Sequence, residues 1–221
     1  MGVSVALCEP QLFGGGPIRA GDAGGGLSRT WLTVRSWVDH QQGWLGGSDE
    51  LFELLVGSVS WVQHRRPMYQ RVLDEPRLTA WFSAGEPWPH PLLGELSRTL
   101  SDRYGQDLGV LSLNLYRDGS DSVAWHGDRI SRAVPEPVVA IVSLGPPRPF
   151  LLRPKGGGPS RSYGLGWGDL LVMGGRCQRE FDHCVPKVAR ATPRLSVMFR
   201  PHDEGWTQRR GVTTHPVEVS R

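Results

Sequence analysis

The chain has 221 residues, 38% of them hydrophobic, and a formal net charge of +3, which fits one ordinary domain with a sizeable core and excludes wholesale disorder. No apolar run approaches the roughly 20 residues that a membrane helix needs, and the N-terminus lacks the basic start and long apolar stretch of a secretion signal. Three cysteines, Cys8, Cys177 and Cys184, are too few and odd in number for a disulfide scaffold, so an intracellular, cytoplasmic protein is expected.

Residues 14–16 and 24–26 are both Gly-Gly-Gly, and such a segment buries too little apolar surface to offset its ordering entropy. Residues 1–28 are therefore expected to form a flexible lead-in, and the domain to start near Arg29. Ser48-Asp49-Glu50 precedes Leu51, Phe52, Leu54 and Leu55, which predicts a helix with Ser48 as its cap. A second helix is predicted from about His90 to Tyr104, where Leu92, Leu93, Leu96 and Leu100 recur at one helical face and Gly105 can end it.

Short strands follow. L-S-L-N-L-Y (111–116) alternates, and V-V-A-I-V-S-L (138–144) reads as buried on both faces. P-F-L-L-R (149–153), D-L-L-V-M (169–173) and R-L-S-V-M-F-R (194–200) come next, separated by Gly- and Pro-rich turns. Two early helices before many short strands predict a sandwich or barrel, mainly β with flanking helices. Residues 202–221 are polar and aperiodic and read as a tail.

Three groups of residues carry chemistry. The stretch V-A-W-H-G-D-R-I (123–130) reads as a strand, in which His126 and Asp128 share one face at a spacing that suits two ligands of one metal. His183, in R-E-F-D-H-C-V-P, is the best third ligand, and two His with one carboxylate make the facial set of non-haem iron sites. Such an H-x-D also arises by chance, and His183 alone fits a buried histidine at a strand end. Arg194, Ser196, Met198 and Arg200 share one face of their strand. Inside a barrel the two arginines need an anion, such as a small dianion like 2-oxoglutarate; on an exposed face they need only water. Asn114 and Tyr116 share a face and can each donate to a carboxylate. Cys177 and Cys184 flank His183, but C-x6-C without a second pair makes buried thiols a better expectation than zinc.

Taken together, N-L-Y-x-x-G-x-D-x-x-x-x-H-x-D (114–128), V-S-L-G (142–145), G-D-L-L-V-M-G-G (168–175), H-x-V-P (183–186) and R-L-S-V-M-F-R (194–200) resemble the AlkB family of Fe(II)- and 2-oxoglutarate-dependent nucleic-acid dioxygenases. The resemblance is strong over 112–201 and loose over 30–110. It implies a double-stranded β-helix, or jelly roll, in a single domain over 29–201. Helices and a nucleotide-recognition lid would occupy 29–110 and the barrel 111–201. It also implies that His126, Asp128 and His183 bind Fe(II). Asn114, Tyr116, Arg194, Ser196 and Arg200 would hold the co-substrate 2-oxoglutarate, with O2 as the oxidant.

The implied activity is oxidative demethylation of N-alkylated bases in DNA or RNA, releasing formaldehyde, succinate and CO2. A dioxygenase acting on a protein or small molecule, and a non-catalytic nucleic-acid-binding module, are the alternatives. An enzyme acting on a duplex base must flip it out or use single strands. Arg66, Met68 and Tyr69, in the basic segment 61–77, are expected to contact nucleic acid. Ile130 stands where several family members carry an acidic residue that contacts the base. A monomer with no membrane association is expected.

Overall fold

The computed structural model describes residues 3–4, 18–21, 26–68, 71–83, 85–128, 130, 132–201, 214–217 and 219–220. In chain order the early strands are β1 (Val3–Ser4), β2 (Arg19–Ala20), β3 (Ser28–Trp31), β4 (Ser36–Gln41) and β5 (Leu45–Gly46). Helix α1 (Ser48–Ser58), strands β6 (Trp61–Met68), β7 (Arg71–Asp74) and β8 (Leu78–Phe82), and helix α2 (Pro91–Tyr104) follow. The later strands are β9 (Val110–Tyr116), β10 (Val123–His126), β11 (Val139–Leu144), β12 (Arg148–Pro154), β13 (Arg161–Leu165) and β14 (Leu170–Gly175). A short helix α3 (Cys177–Glu180) leads into β15 (Phe181–Val185), β16 (Arg194–Arg200), β17 (Thr214–Val217) and β18 (Val219–Ser220).

Two antiparallel sheets make the body. The larger has the order β17-β6-β8-β9-β16-β11-β14-β4-β3, with β7 attached to β6, and the smaller has the order β10-β15-β12-β13. Strand parity explains how they pack. On β11, Ala140, Val142 and Leu144 join one apolar cluster with α1 and α2, while Val139 and Ile141 join a second with Phe150, Leu152 and Val185 of the smaller sheet. This continuous apolar run is buried on both faces because helices cover one side and a sheet the other. Leu111, Leu113 and Leu115 of β9, and Leu195, Val197 and Phe199 of β16, face the helices. Their alternate residues turn toward the smaller sheet, where the polar side chains Asn114, Ser196 and Arg200 surround a cavity. The fold is the jelly roll expected from the resemblance.

Helix α2 matches its prediction. His90 caps it by accepting the Leu92 N–H at Nδ1 (3.3 Å), and Gly105 closes it in the left-handed region. Leu93, Leu96 and Leu100 are fully buried, each stabilising by about 2 kcal/mol, so packing rather than propensity holds the helix. Helix α1 starts differently from expectation. Ser48 is its first helical residue, Gly47 takes the cap position at φ +64, and no side chain caps it. Asp49 and Glu50 still complement the dipole of the first turn.

Three further differences concern the strands. The segment 29–110, read as helices and a lid, also supplies β3, β4, β6 and β8 to the larger sheet. Within the polar segment 202–221, Thr214–Val217 pairs with Trp61–His64, and Val219–Ser220 pairs with Val3–Ser4. Arg19–Ala20, inside the Gly-rich lead-in, pairs with Leu45–Gly46.

Candidate metal and oxo-acid site

The His-Gly-Asp segment is not one regular strand. β10 ends at His126, and its register against β15 shifts between Val123 and His126. Helix α3 explains the exit. The Asp128 N–H donates to Gln178 Oε1 (3.0 Å), not to a neighbouring strand. A Cβ on Gly127 would stand 3.0 Å from the Gln178 carbonyl oxygen and 3.1 Å from Lys155 Nζ, so a side chain there fits only if these neighbours give way slightly. Two guanidinium nitrogens of Arg179 reach the Ile130 and Val134 carbonyls (2.9 and 3.0 Å) and hold the chain beyond Asp128.

His183 reaches the same place from β15, where its Cα pairs with that of His126. One ligand-type atom from each of His126, Asp128 and His183 lies within 4.8 Å of the others. The His126 and His183 rings are 4.3 Å apart, and Phe150 stacks on His183 at 5.3 Å. His126 Nδ1 lies 2.9 Å from the Ala124 carbonyl oxygen. A carbonyl only accepts, so Nδ1 carries a proton, and Nε2, 3.9 Å from Asp128 Oδ1, is the nitrogen placed to ligate. The buried His183 Nδ1 has no hydrogen-bond partner among the described residues. An unpaired nitrogen beside a carboxylate and a second imidazole is a donor set that fits a divalent metal.

Electrostatics prepare these groups. Burial raises the Asp128 carboxyl, but Arg200, His183 and His126 outweigh it and hold it at about 2. Arg200 forks onto the carboxylate, with Nε and one Nη each 3.2 Å from an oxygen, and its other Nη donates to Ser112 Oγ. The resemblance implied that Arg200 contacts the keto acid; in this structure its guanidinium faces the Asp128 carboxylate.

Burial pushes the His183 imidazole down to about 3, so it is neutral and able to ligate at physiological pH. An ordinary unfolded histidine takes up its proton near pH 6.5, whereas the folded one resists down to about 3. The unfolded chain therefore binds more protons in that window, and stability falls as pH drops through it. Metal-free protein is expected to lose about 1.4 kcal/mol per pH unit below 6.5 through this group. Urea unfolding across that range tests this, with His183→Phe losing that part of the slope.

Behind Tyr116, which lines the cavity, lies Arg194, which is 1% exposed. Its Nε donates to Ser143 Oγ (2.9 Å), its guanidinium lies 5.5 Å from the Tyr116 ring centre, and its two Nη atoms have no partner among the described residues. Burial lowers it to about 10, so it stays charged. A buried cation with two free donor nitrogens fits a carboxylate. Asn114, Tyr116 and Ser196 line the cavity with Ile141, Phe150, Val185 and Met198. Asn114 Nδ2 is directed at Met198 Sδ (3.8 Å).

The expected substrate residues fare differently. Ile130 is 5% exposed and packs in the core between the sheets, because the chain beyond Asp128 turns inward; it does not line the cavity. Arg66 and Met68 lie on β6, opposite Leu73 and Arg71 of the β6–β7 hairpin. Tyr69 falls outside the described residues. On β7, Val72 and Leu73 are exposed, an apolar pair that sequence reasoning did not single out. Ser143, Arg148 and Gln178 were also missed, since each acts through a partner distant in sequence. Trp125 is partly buried, with Arg153 stacked over it at 4.0 Å.

Cys177 and Cys184 are free and buried. Burial pushes the Cys177 thiol up to about 12 and raises Cys184 as well. Alkylation needs the thiolate, so neither is expected to react with iodoacetamide at neutral pH until the chain is unfolded. Peptide mass mapping before and after urea checks this.

Known proteins bear on this geometry. A family model described as the 2OG-Fe(II) oxygenase superfamily matches residues 47–211. Human alpha-ketoglutarate-dependent dioxygenase alkB homolog 3 is 32% identical over 198 residues, covering 79% of this chain; the chain spans 66% of that relative's length. Human DNA oxidative demethylase ALKBH2 is 29% identical, covering 87% of this chain and 88% of its own. Among solved structures, OsALKBH1 superposes with a TM-score of 0.56 at 16% identity, covering 79% of this chain and 100% of its own. A prolyl hydroxylase from Trichoplax adhaerens superposes at 0.55 with 15% identity, covering 76% and 84%. These two structures carry the same fold. With the family model covering most of the chain and AlkB homologues among its relatives, this chain belongs to the 2OG-Fe(II) oxygenase superfamily.

Proposed function

We propose that this chain is an Fe(II)- and 2-oxoglutarate-dependent dioxygenase that demethylates N-alkylated bases in DNA or RNA. The observation that carries the reading is one cavity with a His-Asp-His cluster and, beside its Tyr116, a buried arginine lacking an anion. The nucleic-acid substrate is supported by the relative named DNA oxidative demethylase.

His126, Asp128 and His183 hold the metal, and Arg200 keeps the Asp128 carboxylate ionised and oriented. Arg194 takes the remote carboxylate of 2-oxoglutarate, while Asn114, Tyr116 and Ser196 position the rest of it. Ile141, Phe150, Val185 and Met198 exclude water from the reacting end. With O2, bound Fe(II) and 2-oxoglutarate supply the oxidation of the N-alkyl carbon, with succinate, CO2 and formaldehyde as products. His126 is the more exposed ligand, its side chain 41% accessible against 7% for Asp128, so the substrate enters past it. The β6–β7 hairpin, with Arg66 and Met68, is assigned to the nucleic acid, as is Tyr69 from its place in the sequence, and the protein acts as a cytoplasmic monomer.

The test is formaldehyde release from single-stranded DNA carrying 3-methylcytosine or 1-methyladenine, with Fe(II), ascorbate and 2-oxoglutarate. Release by the wild type and none by His126→Ala is the expected result. Succinate without formaldehyde on any methylated oligonucleotide would move the substrate to a protein or small molecule.

A further inference from the structure

Arg148 begins β12, two and four residues before Phe150 and Leu152, so it shares their inward face. It is 2% exposed. Its Nη1 donates to the Asp118 carbonyl (2.9 Å) and its Nη2 to those of Asp121 and Pro186 (3.0 and 2.8 Å). Carbonyls satisfy both terminal nitrogens, while Nε has no partner among the described residues and the charge remains. The side chain of Asp121, the nearby acid, gives both oxygens to Arg117 at 2.7 and 2.8 Å. Arg148 lies 5.8 Å from the Tyr116 ring centre, and Arg194 lies 5.5 Å from the same ring. One buried tyrosine thus touches two guanidinium groups, and among the described residues neither is hydrogen-bonded to a carboxylate.

Two buried like charges repel, and Arg148 contributes to the lowering of Arg194. An anion relieves both at once. The two arginines divide the work. Arg194 has free nitrogens and can bind an oxygen directly. Arg148 has its terminal nitrogens occupied and acts through its field and by holding the turn at 118–121 and Pro186 in place. In a buried site that field is poorly screened.

We propose that Arg148 is a specificity-determining residue, a second buried cation that with Arg194 makes the pocket select 2-oxo acids carrying a remote carboxylate. This rests on the reading of the cavity as a 2-oxoglutarate site. A purely structural clamp would not distinguish one oxo acid from another.

The experiment is calorimetric titration of the full chain loaded with Mn(II), which needs no turnover. The ligands are 2-oxoglutarate and 2-oxovalerate, a five-carbon 2-oxo acid without the remote carboxylate. Wild type is expected to prefer 2-oxoglutarate by about 100-fold or more. Arg148→Gln lowers that ratio about tenfold with 2-oxovalerate affinity unchanged, and Arg148→Lys keeps it within about threefold. An unchanged ratio in Arg148→Gln, or equal weakening of both acids, overturns the proposal. Should thermal melts show that Arg148→Gln does not fold, Arg148→Lys decides. It keeps the charge but cannot span three carbonyls, so a retained ratio supports the proposal and a lost one overturns it. Wild type binding neither acid overturns the co-substrate reading itself, and the proposal with it.

Discussion

Arg194→Met is expected to unfold at a higher urea concentration than the wild type and to lose most of its affinity for 2-oxoglutarate. The guanidinium is fully buried, and among the described residues only its Nε is paired, to Ser143 Oγ. Desolvating a charge without an anionic partner is costly, and replacing buried ionic groups by apolar ones of similar volume often stabilises by about 1–4 kcal/mol. The substitution leaves no orphan, because Ser143 Oγ still donates to the Leu165 carbonyl (3.2 Å). The same change removes two hydrogen bonds to a carboxylate, a loss of about 100-fold or more in binding. Urea unfolding of the metal-free chain and calorimetry with Mn(II) and 2-oxoglutarate measure the two effects. A variant that is less stable and binds normally would remove Arg194 from the site.

Asp128→Ala should fail on both counts. Arg200 is 8% exposed and faces Asp128 through two 3.2 Å contacts. Deleting the carboxylate leaves that guanidinium buried with Ser112 and the Trp81 ring as company, which costs about 3–5 kcal/mol. It also removes one of the three proposed metal ligands, and metal content and turnover should fall by more than about 100-fold. Asp128→Asn keeps the shape and an acceptor oxygen for Arg200, so it is expected to be more stable than Asp128→Ala while losing metal just as badly. Chemical unfolding with metal analysis of the purified variants checks this. An Asp128→Ala chain as stable as wild type would show that Arg200 finds another partner.

These contrasting outcomes have one reason. Asp128 already has its counter-ion within the chain, whereas Arg194 has no hydrogen-bonded carboxylate among the described residues. Removing the first breaks a completed pair; removing the second deletes an unmet charge. On the proposed reading, an anion bound beside Arg194 would offset the cost of burying it.

Much of this was legible locally. Period two on β9 and β16 placed Asn114, Tyr116, Arg194, Ser196 and Arg200 on one face, because alternation in a strand needs no knowledge of the rest of the chain. The Leu spacing and Gly105 marked α2 for the same reason. The first third of the larger sheet was not legible. W-V-Q-H-R-R-P-M carries arginines and Pro67 and reads as a basic loop, yet it forms β6 because β8 and β17 pair with it across long sequence gaps. The H-x-D argument began from a strand that in fact ends at His126. The two ligands converge because α3 seizes the Asp128 N–H, a contact over 50 residues.

The sequence by itself determined the residue types of the site, the inward faces of β9 and β16 and the family, since these depend on side-chain chemistry and short-range periodicity. Only the tertiary structure decided what each charge meets. It gave Asp128 to Arg200, buried Ile130 in the core, set Arg148 beside Arg194 on one tyrosine, and left both Nη atoms of Arg194 without a partner among the described residues. Pairing and desolvation are properties of groups brought together from distant segments, and no local pattern encodes them.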